Sequence, residues 1–118
     1  MTSSKAPITR CTQCGLCNTV DPIMGVTKKE SASTRFKATL AKRGVASPVF
    51  YLATEMGLQE QVCPSAIDLT DAMRQAREHN VRAGVTTQAN ETMLANFRKN
   101  GSPYENWNTE DFRDKPVW

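Results

Sequence analysis

The sequence predicts an all-α fold, on three observations. No segment alternates apolar and polar residues for long enough to make a half-buried strand, and no Asn-Gly turn joins two β-branched runs. Four segments instead carry apolar residues at helical spacing, each bounded by a capping residue or a terminal glycine. At 118 residues and 39% hydrophobic content, the chain suffices for one compact domain and not for two good cores.

Each element follows in chain order. Residues 1–7 are expected to form a mobile tail, because the start of the chain is small, polar and aperiodic. Residues 8–22 form a loop that holds three closely spaced cysteines. A first helix is expected over 34–43, where Phe36 and Leu40 share a face at i,i+4 and Gly44 provides a left-handed stop. Lys37, Lys42 and Arg43 crowd its second half, where the helix dipole favours cations.

Ser47 and Pro48 read as the N-cap and first residue of a second helix, with Val49, Leu52, Ala53 and Met56 as its apolar stripe and Gly57 as its end. Asp68 caps a third, with Leu69, Ala72, Met73 and Ala76 on its buried face. Thr86 or Thr87 opens a fourth, with Met93 and Phe97 inward and Gly101 at its end. These elements make one domain over 8–101, and residues 102–118 are expected to be an irregular C-terminal arm. Tyr104, Trp107, Phe112 and Trp118 give that arm two alternatives, an anchor for a partner or packing back on its own domain.

The compartment decides how the cysteines are read. No stretch approaches the roughly 18 apolar residues of a membrane span, and MTSSKAPITR lacks the apolar core of a secretory signal. A cytoplasmic location is therefore expected, and there four cysteines point to metal or redox chemistry rather than disulfides. The formal net charge of +3 is too mild to argue for nucleic-acid binding.

Cys11, Cys14 and Cys17 form a C-x2-C-x2-C run, and Cys63 is followed by Pro64. The first spacing lets three thiolates wrap one face of an iron-sulfur cube, and the Cys-Pro pair ends a bacterial ferredoxin motif. In two-cluster ferredoxins the fourth cysteine of each run serves the other cluster, which pairs Cys63 with the early trio. One [4Fe-4S] cluster held by Cys11, Cys14, Cys17 and Cys63 is expected. The same template would place a second cluster on Asp21, Ala53, Met56 and Gln59, where only Asp21 is a plausible iron ligand. That second site reads as vacated, with Ala53 and Met56 packing in its place.

Zinc is the plainer rival, but its four-thiolate sites usually pair two C-x2-4-C knuckles, and none lies near Cys63. Thiol redox chemistry on a lone C-x-x-C would need a βαβ pattern that is absent. Gly15 reads either as allowing close backbone approach to the cluster or as an ordinary loop glycine.

The stretches CTQCGLCNTVDP, RFKATLAKRG, CPSAIDLTDAMRQARE and NFRKNGSPYENW resemble the ferredoxin-like C subunit of heterodisulfide reductases and of related sulfur-oxidising complexes. The resemblance implies an α-helical ferredoxin fold. It also implies a place in a multisubunit complex, passing single electrons to or from a B-type subunit with cysteine-rich CCG domains. In that family the C subunit carries two [4Fe-4S] clusters, and only Cys11, Cys14, Cys17 and Cys63 match as ligands here. A single cluster makes the chain an end station or a step whose next carrier lies in another subunit.

No Ser/His/Asp constellation, phosphate loop or acid/base carboxylate pair is present, so the chain is read as a non-catalytic part of an oxidoreductase complex. The alternatives are a structural four-cysteine module clamped by a metal, or a small iron-sulfur subunit of another oxidoreductase. His79 reads as structural, near a helix end. Lys28, Lys29, Arg35, Lys37, Lys42 and Arg43 read as a solvated face or as a basic segment that steers an acidic partner.

Overall fold

The computed structural model of the chain describes residues 5–105. Most of the chain is helical, and no sheet forms among the described residues. Trp107, Phe112 and Trp118 of the expected arm, and the first four residues of the expected tail, lie outside the described range. The chain divides into two units, Met1–Val85 and Thr86–Trp118, so the domain expected over 8–101 runs across both.

The first unit contains helices α1 (Pro22–Thr27), α2 (Thr34–Lys42), α3 (Leu58–Gln61) and α4 (Leu69–Arg82). Single 3-10 turns at Ile8–Arg10, Leu16–Val20, Glu30–Ala32 and Pro48–Leu52 link them. Ser33 caps α2 by accepting from the Phe36 amide, and Asp68 caps α4 by accepting from the Asp71 amide, as a side-chain oxygen at an N-cap should. Gly44 takes the left-handed conformation after α2 at φ 65°, which ends the helix where a C′ glycine was expected.

Three sequence expectations need correction. Helix α1 starts at Pro22, where the expected loop ends, and runs through a stretch for which no helix was expected, because Asp21 caps it and Pro22 fits its first position. The helix expected over 47–57 is a single turn followed by extended chain at Ala53, and Gly57 starts α3 rather than ending a helix. The cause is in α4. Arg77 Nε donates to the Phe50 carbonyl at 3.1 Å and its terminal nitrogen donates to the Ala53 carbonyl, so α4 draws on carbonyls of this segment, and the Phe50 carbonyl also accepts the Ala53 amide at 3.2 Å in a tight turn. Buried Asn80 likewise pairs with both backbone groups of Ser47, at 2.9 and 2.7 Å.

The third correction concerns which faces are buried. Helix α2 buries Thr34, Lys37 and Ala38, whereas Phe36 remains 37% exposed. In the second unit α5 (Gln88–Asn100) begins at Thr87 and ends at left-handed Gly101 as expected, but Met93 and Phe97 are exposed and no residue of α5 is buried.

The core of the first unit is small. Ala38, Ile67 and Leu69 form one cluster, with Ala6, Ile8, Cys11, Cys17 and Cys63 packed against it, and Ala32, Phe50 and Met73 are buried as well. An isolated parallel bridge ties Ala6 to Ile67 and closes the start of the described chain over the Cys63 loop. Such a core removes little apolar surface from water, so a bound group that gathers four of its side chains would stabilise the fold directly.

Candidate metal centre

The four cysteines converge. Cys11, Cys14, Cys17 and Cys63 all line one pocket, walled on its inner side by Ala38, Ile67 and Leu69. None of the four is in a disulfide. Cys14 is exposed, whereas the other three are half-buried, so the pocket opens on the Cys14 side.

Local backbone explains how the early trio curls round this space. Gln13 and Gly15 are both left-handed, at φ 60° and 83°, and the two bends turn the short loop back on itself. Only glycine adopts this region without strain, so Gln13 stores a little, as residues at binding loops often do. On the far side of the pocket Ala66 is left-handed at φ 50°, just after Cys63-Pro64-Ser65. The Ala66 amide closes the turn onto the Cys63 carbonyl at 3.1 Å.

A Cβ built on Gly15 would lie 3.2 Å from Arg35 Nη1. The glycine therefore meets both a left-handed backbone and a close side chain, which goes beyond either expectation for it.

Electrostatics agrees with the convergence. Burial, then the charges of Cys11 and Cys14 with Cys63 behind them, pushes the Cys17 thiol up to about 11. Four thiolates crowded together repel one another, so they ionise together only round a positive centre. Among the described residues no group of three or more His, Cys, Asp or Glu side chains is arranged to hold a metal ion.

The residues expected to mark a second site do not gather as ligands. Asp21 is buried and already fully used. Its Oδ1 accepts from the Ile23 amide at 2.9 Å, and its Oδ2 accepts from the Thr34 amide and hydroxyl, both at 2.6 Å. Burial pushes this carboxyl up, but the Thr34 and Ile23 bonds and the Lys37 charge outweigh it and hold the group below its usual range. Asp21, the one plausible iron ligand of a site expected to be vacated, serves as a helix cap tying α1 to α2.

Met56 is 51% exposed rather than packed into the vacated space. Ala53 and buried Gln59 instead line a pocket with Thr34, Lys37, Thr54, Leu69, Thr70 and Met73. Its solvent space is ≈ 10 Å³, about what one water needs. Lys37 is 1% exposed, and the buried Thr54 hydroxyl finds no hydrogen-bond partner among the described residues. Leu69 walls both this polar pocket and the thiol pocket, so the two are neighbours.

The basic segment is where sequence reading missed most. Lys42 Nζ donates to the Cys11 carbonyl at 3.2 Å, Lys37 is buried, and Arg35 lines the thiol pocket. The signal available was their place in α2 downstream of the cysteine loop, but which of them turns inward depends on Asp21 pulling Thr34 into the core. His79 is exposed in the last turn of α4. Comparison of the chain with protein-family models, with curated proteins and with solved structures gave no match.

Proposed function

We propose that this chain is the electron-transfer subunit of a heterodisulfide reductase-like complex, holding one [4Fe-4S] cluster on Cys11, Cys14, Cys17 and Cys63. The observation that carries the reading is that these four thiols, drawn from two distant points of the sequence, line a single pocket. Four cysteines are the usual ligand set of a cubane cluster, and the residues present fit one. When bound, such a cluster supplies reversible one-electron chemistry.

The chain's own residues supply the rest. Ala38, Ile67 and Leu69 keep water from the inner wall of the pocket. The Cys14 side is exposed and is the face a redox partner needs to approach. Asp21, spent on α1 and α2, cannot serve a second cluster, which supports a single-cluster relay with its next carrier in another subunit. No helix among the described residues is long and apolar enough to cross a membrane. A cytoplasmic setting, where thiols stay reduced, suits the reading.

The resemblance of CTQCGLCNTVDP and CPSAIDLTDAMRQARE to the C subunit supports a CCG-domain B-type partner. Anaerobic affinity isolation of the tagged chain, with its partners identified by mass spectrometry, tests this. A CCG-domain subunit is the expected partner. Recovery of the chain in stoichiometric complex with an unrelated oxidoreductase would contradict it.

A further inference from the structure

We infer that Arg35 is the cation that faces the cluster's negative charge, a positioning residue that raises its reduction potential. The inference rests on the four-thiolate reading above and extends it to a residue outside the ligand set.

Three observations place Arg35 there. Its side chain lines the pocket that the four thiols line. Its Nη1 reaches within 3.2 Å of where a Cβ on Gly15 would stand, and Gly15 lies between the second and third ligands, so the guanidinium rests on the ligand loop itself. It is also held in place. Nε donates to Glu30 Oε1 at 2.7 Å, Asn18 Nδ2 donates to Glu30 Oε2 at 3.1 Å, and Asn18 Oδ1 accepts the Arg35 amide at 3.0 Å.

That anchor spends only Nε, which leaves the Nη groups on the side of Gly15. In the free chain the Cys17 thiol also donates to Asn18 Oδ1 at 3.8 Å, a bond that the thiolate would give up on binding a cluster.

The chemistry follows from charge. A cube held by four thiolates is anionic, and taking up one electron from an external donor adds one more negative charge with no bond made or broken. A guanidinium against the ligand loop stabilises the reduced form more than the oxidised one, in a pocket where apolar walls weaken screening. The Arg35 and Glu30 side chains are about equally exposed, at 41% and 44%, but Arg35 lines the thiol pocket and Glu30 does not, so the cation stands nearer the cluster than its countercharge.

The test is a spectroelectrochemical titration of the anaerobically prepared full chain and of Arg35→Gln, Arg35→Met, Arg35→Lys and the distant Arg82→Gln. Both neutral variants are expected to lose about tenfold in the equilibrium constant for reduction, a fall of about 59 mV for a one-electron couple. Arg35→Lys should recover most of that loss, and Arg82→Gln should match the parent. Full iron content with an unmoved potential in the neutral variants would overturn this inference and leave the cluster standing. An equal fall in Arg82→Gln would do the same. If the neutral variants fail to hold iron, retention of iron and potential by Arg35→Lys upholds the role of charge, and loss of iron there too assigns Arg35 to structure. A parent chain without iron would overturn the inference together with the proposed function.

Discussion

Asp21 shows how much one buried side chain can decide. It stands where a cluster ligand falls in the two-cluster template, and its carboxylate instead accepts from Ile23, Met24 and Thr34, with the Lys37 charge as a smaller influence. Removing it orphans the buried Thr34 donors. Asp21→Ala is therefore expected to cost about 1–3 kcal/mol in urea unfolding. Asp21→Asn, which keeps acceptors on one oxygen, should cost less. The sequence could show the carboxylate and its place in the motif. It could not show that Thr34, thirteen residues on, would consume both lone pairs of one oxygen.

Glu60 makes the same kind of argument in pH. Burial raises its carboxyl, but the bonds from Lys5 and Thr70 outweigh this and lower it from 4.5 to about 2. The folded value lies below the unfolded one, so between the two the unfolded chain binds more protons and stability rises with pH. The contribution is complete above about 4.5 and is lost as pH falls towards 2. Asp21 is lowered too and acts in the same direction. Acid unfolding should therefore be steep in this window, and Glu60→Gln should flatten it. An unchanged slope in that variant would count against the Lys5–Glu60–Thr70 arrangement.

At the scale of elements, what was readable was what local chemistry writes. Helices α4 and α5 start at Asp68 and Thr87, and α2 ends at Gly44, because caps and left-handed glycines act within a few residues. The segment after Ser47 was misread because its outcome is set from α4, through Arg77 and Asn80. Its apolar spacing fits a helix equally well, yet its carbonyls find better partners elsewhere. Asn80 is fully buried and satisfies both backbone groups of Ser47, so Asn80→Leu should destabilise the protein by about 1–3 kcal/mol through orphaned Ser47 groups. Thermal or urea unfolding measures this, and a loss near zero would mean that water replaces the amide.

For the whole molecule, the cysteine pattern was legible and its surroundings were not. The spacing of Cys11, Cys14 and Cys17 and the Cys63-Pro64 pair predicted a common site, and the four do share a pocket. The cations beside it were hidden in a segment that reads as a solvated face. Their placement depends on how α2 is rotated, and that rotation is set by Thr34, Lys37 and Ala38 facing inward rather than Phe36. Of the four template positions for a second cluster, Ala53 and Gln59 line a small pocket that shares Leu69 with the thiol pocket, and Asp21 and Met56 do not.

The account stands or falls on the four thiols sharing one inorganic group. The most direct measurement is iron and acid-labile sulfide per chain in anaerobically prepared protein, with its visible spectrum before and after dithionite, for the parent and for Cys63→Ser. About four irons and four sulfides per parent chain, with broad absorbance that dithionite bleaches reversibly, are expected, and Cys63→Ser should lose most of that signal. A colourless protein holding a single zinc, or full iron retained without Cys63, would contradict the account.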